Sequence, residues 1–267
     1  NIKIFKYPSQ LDKEIRLNSP DVLGLSNYSW NERLNHHFCS IVKRKNKQIT
    51  TILGGPNIRL DNISIEKYLK NNEYVDYYII GEGEVPFVEL IKRLQTNCSD
   101  EFLPLGCAKL HNDELVYIPI NTKKQPKEYD YESPYLTGIL DPFIKDKKCI
   151  PLFESNRGCP FSCTYCAWGV SQFSRVRKKS LDTICEEMDY VWKYSVGQKS
   201  WLFADANFGM FDRDIEIAKH INKTRHKYGF PKNVTLWDSK NTTSRNIKIT
   251  ELLDEKLGLI ALQSTDL

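Results

Sequence analysis

Three cysteines, Cys159, Cys163 and Cys166, fall within eight positions of the segment SNRGCPFSCTYCAWG, which is otherwise rich in glycine, proline and aromatics. Thiolates at CxxxCxxC spacing can hold a metal or act as nucleophiles, and their neighbours separate these chemistries. Structural zinc takes four closed ligands, usually in two pairs, and only three are local here. The nearest additional thiols are Cys149, which precedes a strand-like run, and Cys185, on the apolar face of a helical pattern, where a buried free thiol is the ordinary reading. A catalytic thiol needs a base, and no histidine occurs between His111 and His220. Three thiolates suit a four-iron four-sulfur cluster with one iron left open. That open iron accounts for the missing fourth ligand, because it leaves a coordination site for a substrate or cosubstrate.

Such a loop must be held by strands that end beside it, and the chain has two series of them. In the first, DVLGL (21–25), ITTIL (49–53) and VDYYII (75–80) are strand-like. Between and after them, Leu34, Phe38, Ile41 and Val42, then SIEKYLKNN with Ser64 as N-cap, then Phe87, Leu90, Ile91 and Leu94 carry helical spacing. This β-α-β-α-β-α order predicts a parallel sheet with helices on both faces. Each strand ends in a loop of small or polar residues: Ser26, Asn27 and Tyr28; Gly54, Gly55 and Pro56; Gly81, Glu82 and Gly83. Ligands of open parallel sheets bind at the carboxyl ends of the strands. Any one such loop does no more than turn the chain, whereas three in succession read as a ligand edge. GEGEVP lacks the third glycine of a dinucleotide fingerprint.

GCAKLHNDELVYI (106–118) reads as a hairpin, and 119–148 as a linker rich in Pro, Lys and Asp. The second series follows. IPLFES leads into the cysteine loop. Leu181, Ile184, Cys185, Met188, Val191 and Trp192 then mark a helix behind Ser180. SWLFAD is a strand, Ile215, Ala218, Ile221 and Tyr228 mark a helix closed by Gly229, VTLWD is a strand, TELLDEKLG a helix and LIALQS a fourth strand. Strands alternating with helices predict part of a βα barrel, whose strand-end loops carry the chemistry. The expected organisation is therefore an α/β chain with domains at 1–105 and 149–267, joined by 106–148.

Bulk properties narrow the class. At 267 residues the chain has room for two domains. The net charge of +4 is mild, and the runs KRKNK and RVRKK read as solvated helix ends, so nucleic acid is not an expected partner. No apolar run approaches the roughly 20 residues of a membrane span. Eight unevenly spaced cysteines make a poor disulfide scaffold, which favours a reducing cytoplasm. The chain begins at Asn1 rather than Met and stops in a strand-like run, so both ends are expected to be cut.

RGCPFSCTYC on the first loop of a βα barrel resembles the motif of the radical S-adenosylmethionine superfamily, with Tyr165 just before the last cysteine. The resemblance implies that Cys159, Cys163 and Cys166 bind a 4Fe-4S cluster whose open iron chelates S-adenosylmethionine. Reductive cleavage would then give methionine and a 5′-deoxyadenosyl radical, with the electron coming from a donor such as flavodoxin or ferredoxin. FADANFGMF departs from the family's usual Gly-Gly-Glu, yet the resemblance implies that Tyr165, Ala204, Asp205, Asn207, Ser239, Lys240, Gln263 and Ser264 contact S-adenosylmethionine. PDVLGLSNYSWN, ITTILGGPN and VDYYIIGEGEVPF, with SPYLTGILDPF after them, resemble the branch carrying a cobalamin-binding domain before the barrel. The implied fold is a Rossmann-like, flavodoxin-like cobalamin domain followed by a partial TIM-type barrel. Cobalamin would lie on Ser26, Asn27, Tyr28, Gly54, Gly55, Pro56, Gly81, Glu82 and Gly83. The chain has NHHFCS and no Asp-x-His-x-x-Gly, so His36 and His37 read as packing or surface residues and the cobalt as free of histidine.

The implied activity is methylation of an unactivated carbon in a small molecule. A cobalamin-assisted cyclisation or rearrangement uses the same cofactors. A non-catalytic iron–sulfur or redox module is a third possibility. A methylthiotransferase needs a second cysteine triad, whereas Cys39, Cys98 and Cys107 are widely spaced.

Overall fold

Short runs of β-branched and large apolar residues, each stopped by glycine or a polar turn, become the strands. The computed structural model describes residues 2–96, 103–120, 129, 131–164, 166, 174–240 and 243–254, which divide between two units, Asn1–Ile120 and Asn121–Leu267.

The first unit runs α1 (Pro8–Leu17), β1 (Val22–Ser26), α2 (Glu32–Lys45), β2 (Thr50–Gly54), α3 (Asn62–Lys70), β3 (Tyr77–Ile79), α4 (Glu84–Thr96), β4 (Cys107–His111) and β5 (Glu114–Tyr117). Its five-stranded sheet has the order β1-β2-β3-β4-β5. The first three strands are parallel, with Leu25 opposite Leu53 and Gly54 opposite Ile79, so their carboxyl ends share one edge. Two successive crossovers of one hand put α2 and α3 on the same face. There Cys39, Ile65 and Leu69 pack with Leu53 and Tyr78. Ile52 and Ile79 point the other way, onto Leu90 of α4, as strand alternation requires. Helices thus cover both faces, as expected of a parallel sheet. The predicted hairpin forms and extends this sheet antiparallel to β3. Asn112 and Asp113 at its tip take φ of 50° and 63°, the left-handed pair that a two-residue hairpin turn needs. One cap is corrected: the carboxylate of Asp61, not Ser64, caps α3, accepting from the Ser64 backbone N–H at 2.8 Å.

The second unit comprises α5 (Asp141–Ile144), β6 (Leu152–Phe153), β7 (Asn156–Arg157), β8 (Arg177–Lys178), α6 (Leu181–Tyr194), β9 (Ser200–Phe203), α7 (Arg213–Tyr228), β10 (Asn233–Thr235) and α8 (Thr243–Asp254). Strands β6, β9 and β10 form a parallel sheet in the order β10-β9-β6. Its core side carries Phe153, Trp201, Phe203, Val234 and Leu236, which pack with buried residues of α6, α7 and α8. Ser180 caps α6 as expected, accepting from Thr183 N–H at 3.0 Å, and Gly229 ends α7 at φ 76°. Helix α8 begins at Thr243, seven residues before the expected TELLDEKLG segment. The expected fourth strand, 259–264, lies outside the described residues. Within 119–148, Tyr135 and Ile144 join the second unit's core, and the Tyr135 hydroxyl both donates to Leu152 O and accepts from Leu152 N–H, each at 2.9 Å. Among the described residues no helix is long and apolar enough to cross a membrane.

Phe203 has no exposed surface, and its ring lies 5.5 Å from that of Phe153 and 5.2 Å from that of Phe208. Phe203→Ala should lower stability by about 3–5 kcal/mol in urea denaturation. A loss below about 1 kcal/mol would mean that the rings do not organise this core.

Candidate functional site

The cysteine loop leaves β7 and returns through β8, and this two-stranded ladder closes its base, with Arg157 opposite Arg177. Just before β7 the chain is clamped by a carboxylate. Asp205, at the end of β9, accepts from the backbone N–H groups of Ser155 at 2.6 Å and Asn156 at 3.0 Å, and shares a short hydrogen bond with the Ser155 hydroxyl. On its other side Ser155 O accepts from Lys179 N–H at 3.0 Å and from the Arg213 guanidinium at 2.6 Å. Glu154 takes Arg157 Nε at 2.6 Å and the Tyr129 hydroxyl at 3.2 Å, while the Arg157 and Arg177 guanidinium groups lie 5.0 and 5.4 Å from the Tyr129 ring centre. The segment ahead of β6 thus braces the loop by cation–π contact.

Two side chains from neighbouring strand ends reach the sulfurs. Asn207 Nδ2 donates to Cys159 Sγ at 3.1 Å, and Lys240 Nζ donates to Cys163 Sγ at 2.6 Å. Cys166 N–H donates to Cys163 O at 3.1 Å, turning the loop between the last two thiols. Among the described residues no three His, Cys, Asp or Glu side chains converge on a single-ion site. Sulfurs served by N–H donors are suited to an anionic cluster, whose charge is delocalised onto them.

Several buried acceptors without partners lie in β7 and in the loops after β9 and β10. Asn156 Oδ1, Asn207 Oδ1 and both carboxylate oxygens of Asp238 are buried and make no hydrogen bond. Buried polar atoms are normally satisfied, so these sites call for a donor. An amino-bearing ligand on an open iron supplies one, and the residues present therefore fit a cluster with a chelated cosubstrate. Burial pushes the Asp238 carboxyl up to about 6. It pushes Asp205, which has no exposed surface, up to about 7, against the opposing pull of its hydrogen bonds from Ser155 and Asn156.

Of the residues expected around S-adenosylmethionine, Asn207 and Lys240, in the loops after β9 and β10, contact the cysteines, and Ser239 precedes Lys240. Ser239 is buried, with its N–H donating to Phe208 O at 2.8 Å and its carbonyl accepting from Asn246 Nδ2 at 2.6 Å. Ala204 is exposed and donates its N–H to Phe153 O at 2.8 Å. Asp205 serves as the clamp, hydrogen-bonded to Ser155 and Asn156. Tyr165, Gln263 and Ser264 lie outside the described residues. Asn156 and Asp238 were not anticipated, since nothing local in the sequence distinguishes a buried orphan acceptor.

The first unit's strand-end loops are tied by a buried polar network. Asn27 donates its N–H to Gly54 O at 2.5 Å and its Nδ2 to the hydroxyls of Tyr68 and Tyr78 at 3.0 and 3.2 Å, and its Oδ1 accepts from Asn35 Nδ2 at 3.1 Å. Tyr78 then donates to Gly55 O at 3.0 Å, and Asn35 also donates to Ser26 O at 2.9 Å. Burial holds the Tyr78 phenol up at about 12, so it remains a donor. Gly55 sits at φ 124°, and a Cβ there would meet Asn27 O at 2.6 Å. Tyr28 stacks on Trp30, ring centres 4.5 Å apart and planes 12° apart, with Trp30 79% exposed. Pro56 and Gly81 are exposed, and Gly54, Glu82 and Gly83 are half-buried. His36 contacts the Tyr68 hydroxyl at 3.3 Å and Glu32 at 3.8 Å, a packing role of the kind expected. Asn27, Gly54 and Gly55 are thus brought together, while Asn35, Tyr68, Tyr78 and Trp30 were not anticipated.

No family model matches the chain. It is 32% identical over 259 residues to the cobalamin-dependent radical SAM methyltransferase TokK of Streptomyces tokunonensis, covering 93% of this chain and 37% of that protein. It is 32% identical over 261 residues to the 2-(S-pantetheinyl)-carbapenam-3-carboxylate methyltransferase of Streptantibioticus cattleyicolor, covering 94% and 37%. The chain therefore spans well under half the length of these relatives. Its fold resembles the structure of the radical S-adenosylmethionine methyltransferase TsrM from Kitasatospora setae with cobalamin and a 4Fe-4S cluster bound, at TM-score 0.65 and 13% identity, covering 96% of this chain and 60% of that one.

Two expectations follow from these clamps. The folded Asp205 carboxyl holds its proton over a range in which the unfolded chain, at the ordinary carboxyl value of 3.8, is ionised. Its contribution to stability is therefore lost as pH rises from about 4 to about 7. Asp205→Asn should flatten that slope by on the order of a few kcal/mol, read as denaturant midpoints at about pH 5 and pH 7.5. Equal slopes in the two proteins would show that Asp205 is ionised throughout. Gly55→Ala should destabilise by about 1–3 kcal/mol, and a neutral effect would mean that the two strand-end loops are not locked together.

Proposed function

We propose that the chain belongs to the cobalamin-binding branch of the radical S-adenosylmethionine superfamily, in keeping with the names of its relatives, and that it is part of an enzyme that methylates an unactivated carbon of a small molecule. Cys159, Cys163 and Cys166 would hold a 4Fe-4S cluster, and the first unit's strand-end loops would hold cobalamin. When bound, the cluster supplies the electron that cleaves S-adenosylmethionine, and cobalamin supplies methyl transfer.

The protein's own part is to bind and orient. The three thiolates would leave one iron open, and the unpartnered Oδ1 atoms of Asn156 and Asn207 would accept from the amino group of S-adenosylmethionine. Ala204 and Ser239 would line its path, with Tyr165, Gln263 and Ser264 as further contacts. Asp205 would keep the loop in place beside the ligand's path. In the first unit Ser26, Asn27, Gly54, Gly55, Pro56, Gly81, Glu82 and Gly83 would follow the corrin edge. The Tyr28–Trp30 stack offers it a broad apolar face. We assign the first unit to a Rossmann-like cobalamin domain and the second to the beginning of a TIM-type barrel. A flavodoxin- or ferredoxin-like donor in a reducing cytoplasm would deliver electrons.

The observation that carries this reading is the cysteine triad at the carboxyl edge of a parallel sheet, with orphaned acceptors beside it. Anaerobic reconstitution followed by iron and sulfide analysis and product mass tests it. Cys163→Ala should abolish deoxyadenosine formation, to below about 1% of the parent, while corrin uptake stays within about twofold. Undiminished deoxyadenosine would overturn the cluster assignment. A product lacking an added CH2 would overturn methylation in favour of rearrangement.

A further inference from the structure

We propose that Asn207 and Lys240 are positioning residues of the iron–sulfur centre, which set its reduction potential by donating hydrogen bonds to two of its three cysteine sulfurs. The inference rests on the cluster reading above and concerns a property that reading leaves open. The two donors come from different strand ends, Asn207 after β9 and Lys240 after β10, and reach different sulfurs, those of Cys159 and Cys163.

A single parallel bridge, Phe208 opposite Asp238, registers the two loops against each other. Phe208 N–H donates to Trp237 O at 2.7 Å, and Ser239 N–H donates to Phe208 O at 2.8 Å. Asn207 immediately precedes this bridge and Lys240 lies two residues beyond it, so neither donor is placed by a free loop. Phe208 is anchored in the core without exposed surface, and Gly209 donates its N–H to Asp214 Oδ2 at 2.9 Å. Asn207 itself is 1% exposed, so its carboxamide has no solvent to turn toward. Its Nδ2 is used on sulfur while its Oδ1 has no partner, and a flipped amide would present oxygen to a thiolate.

Reduction adds one electron to the cluster and makes or breaks no bond. The added charge spreads over the sulfurs, so N–H groups aimed at them favour the reduced form and raise the potential. Lys240 contributes a full positive charge in a partly desolvated setting, where Coulomb interaction is strong. Its contact with Phe161, 5.5 Å from Nζ to the ring centre, keeps the ammonium beside the loop. Raising the potential brings the centre within reach of a biological one-electron donor.

The test uses the whole chain, reconstituted anaerobically and assayed for iron and sulfide, then titrated against dithionite-poised mediators without S-adenosylmethionine, with the reduced cluster read by electron paramagnetic resonance. Asn207→Leu and Lys240→Met, which keep side-chain size, should each lower the reduced-to-oxidised ratio at fixed poise by about tenfold, equivalent to about 59 mV for one electron. Lys240→Arg should stay within about threefold of the parent. Should Asn207→Leu fail to load, Asn207→Asp keeps the shape and removes the donor, and should show at least the same fall. Variants that load fully and titrate with the parent would overturn the inference and leave the cluster reading intact. Loss of loading in both Asn207 variants, with Lys240→Met titrating as the parent, would also overturn it. A parent chain that binds no iron and sulfide would instead overturn the cluster reading and this inference with it.

Discussion

A carboxylate without exposed surface holds the chemistry of this chain in place. Asp205 joins the end of β9 to the residues that launch the cysteine loop, taking two backbone N–H groups and a hydroxyl from Ser155 and Asn156. Burying such a group is costly unless its acceptors are filled, and the raised pKa records that cost. The interaction is also directional. Because both backbone donors belong to adjacent residues, satisfying Asp205 fixes the local direction of the chain. That direction takes the next residues into the loop that carries Cys159, Cys163 and Cys166.

The first unit solves the same problem with amides and phenols. Parallel strands bring their carboxyl ends to one edge, where glycine-rich loops would otherwise be loose. Asn27 ties that edge to Tyr68, Tyr78 and Asn35, and Tyr78 passes the connection on to Gly55. No carboxyl is needed there because an amide and phenols can fill one another's donors and acceptors. In each unit the tied strand ends leave other groups at hand: Trp30 is exposed in the first, and Asn156, Asn207 and Asp238 keep buried acceptors without partners in the second.

Much of the architecture was legible because it follows from local pattern. The strand and helix alternation, the Ser180 cap, the Gly229 stop and the 106–118 hairpin depend on neighbours within a few positions. The misjudged α3 cap shows the limit of that logic, since Asp61 and Ser64 both satisfy a cap pattern and only the backbone path selects Asp61. The segment 119–148 looked like a linker because its few apolar residues have no period. Tyr135 and Ile144 are nonetheless core residues, since a single ring can fill a gap without belonging to any repeat.

The sequence by itself determined the cysteine triad, the parallel order of the elements and the glycine-rich strand ends, because spacing along the chain is what a loop and a strand are made from. Tertiary structure alone decided which groups address the sulfurs. Asn207 meets Cys159 across 48 positions and Lys240 meets Cys163 across 77. Those meetings depend on how strand ends align in a parallel sheet. Alignment of that kind is a consequence of register and packing, which no local run of residues encodes.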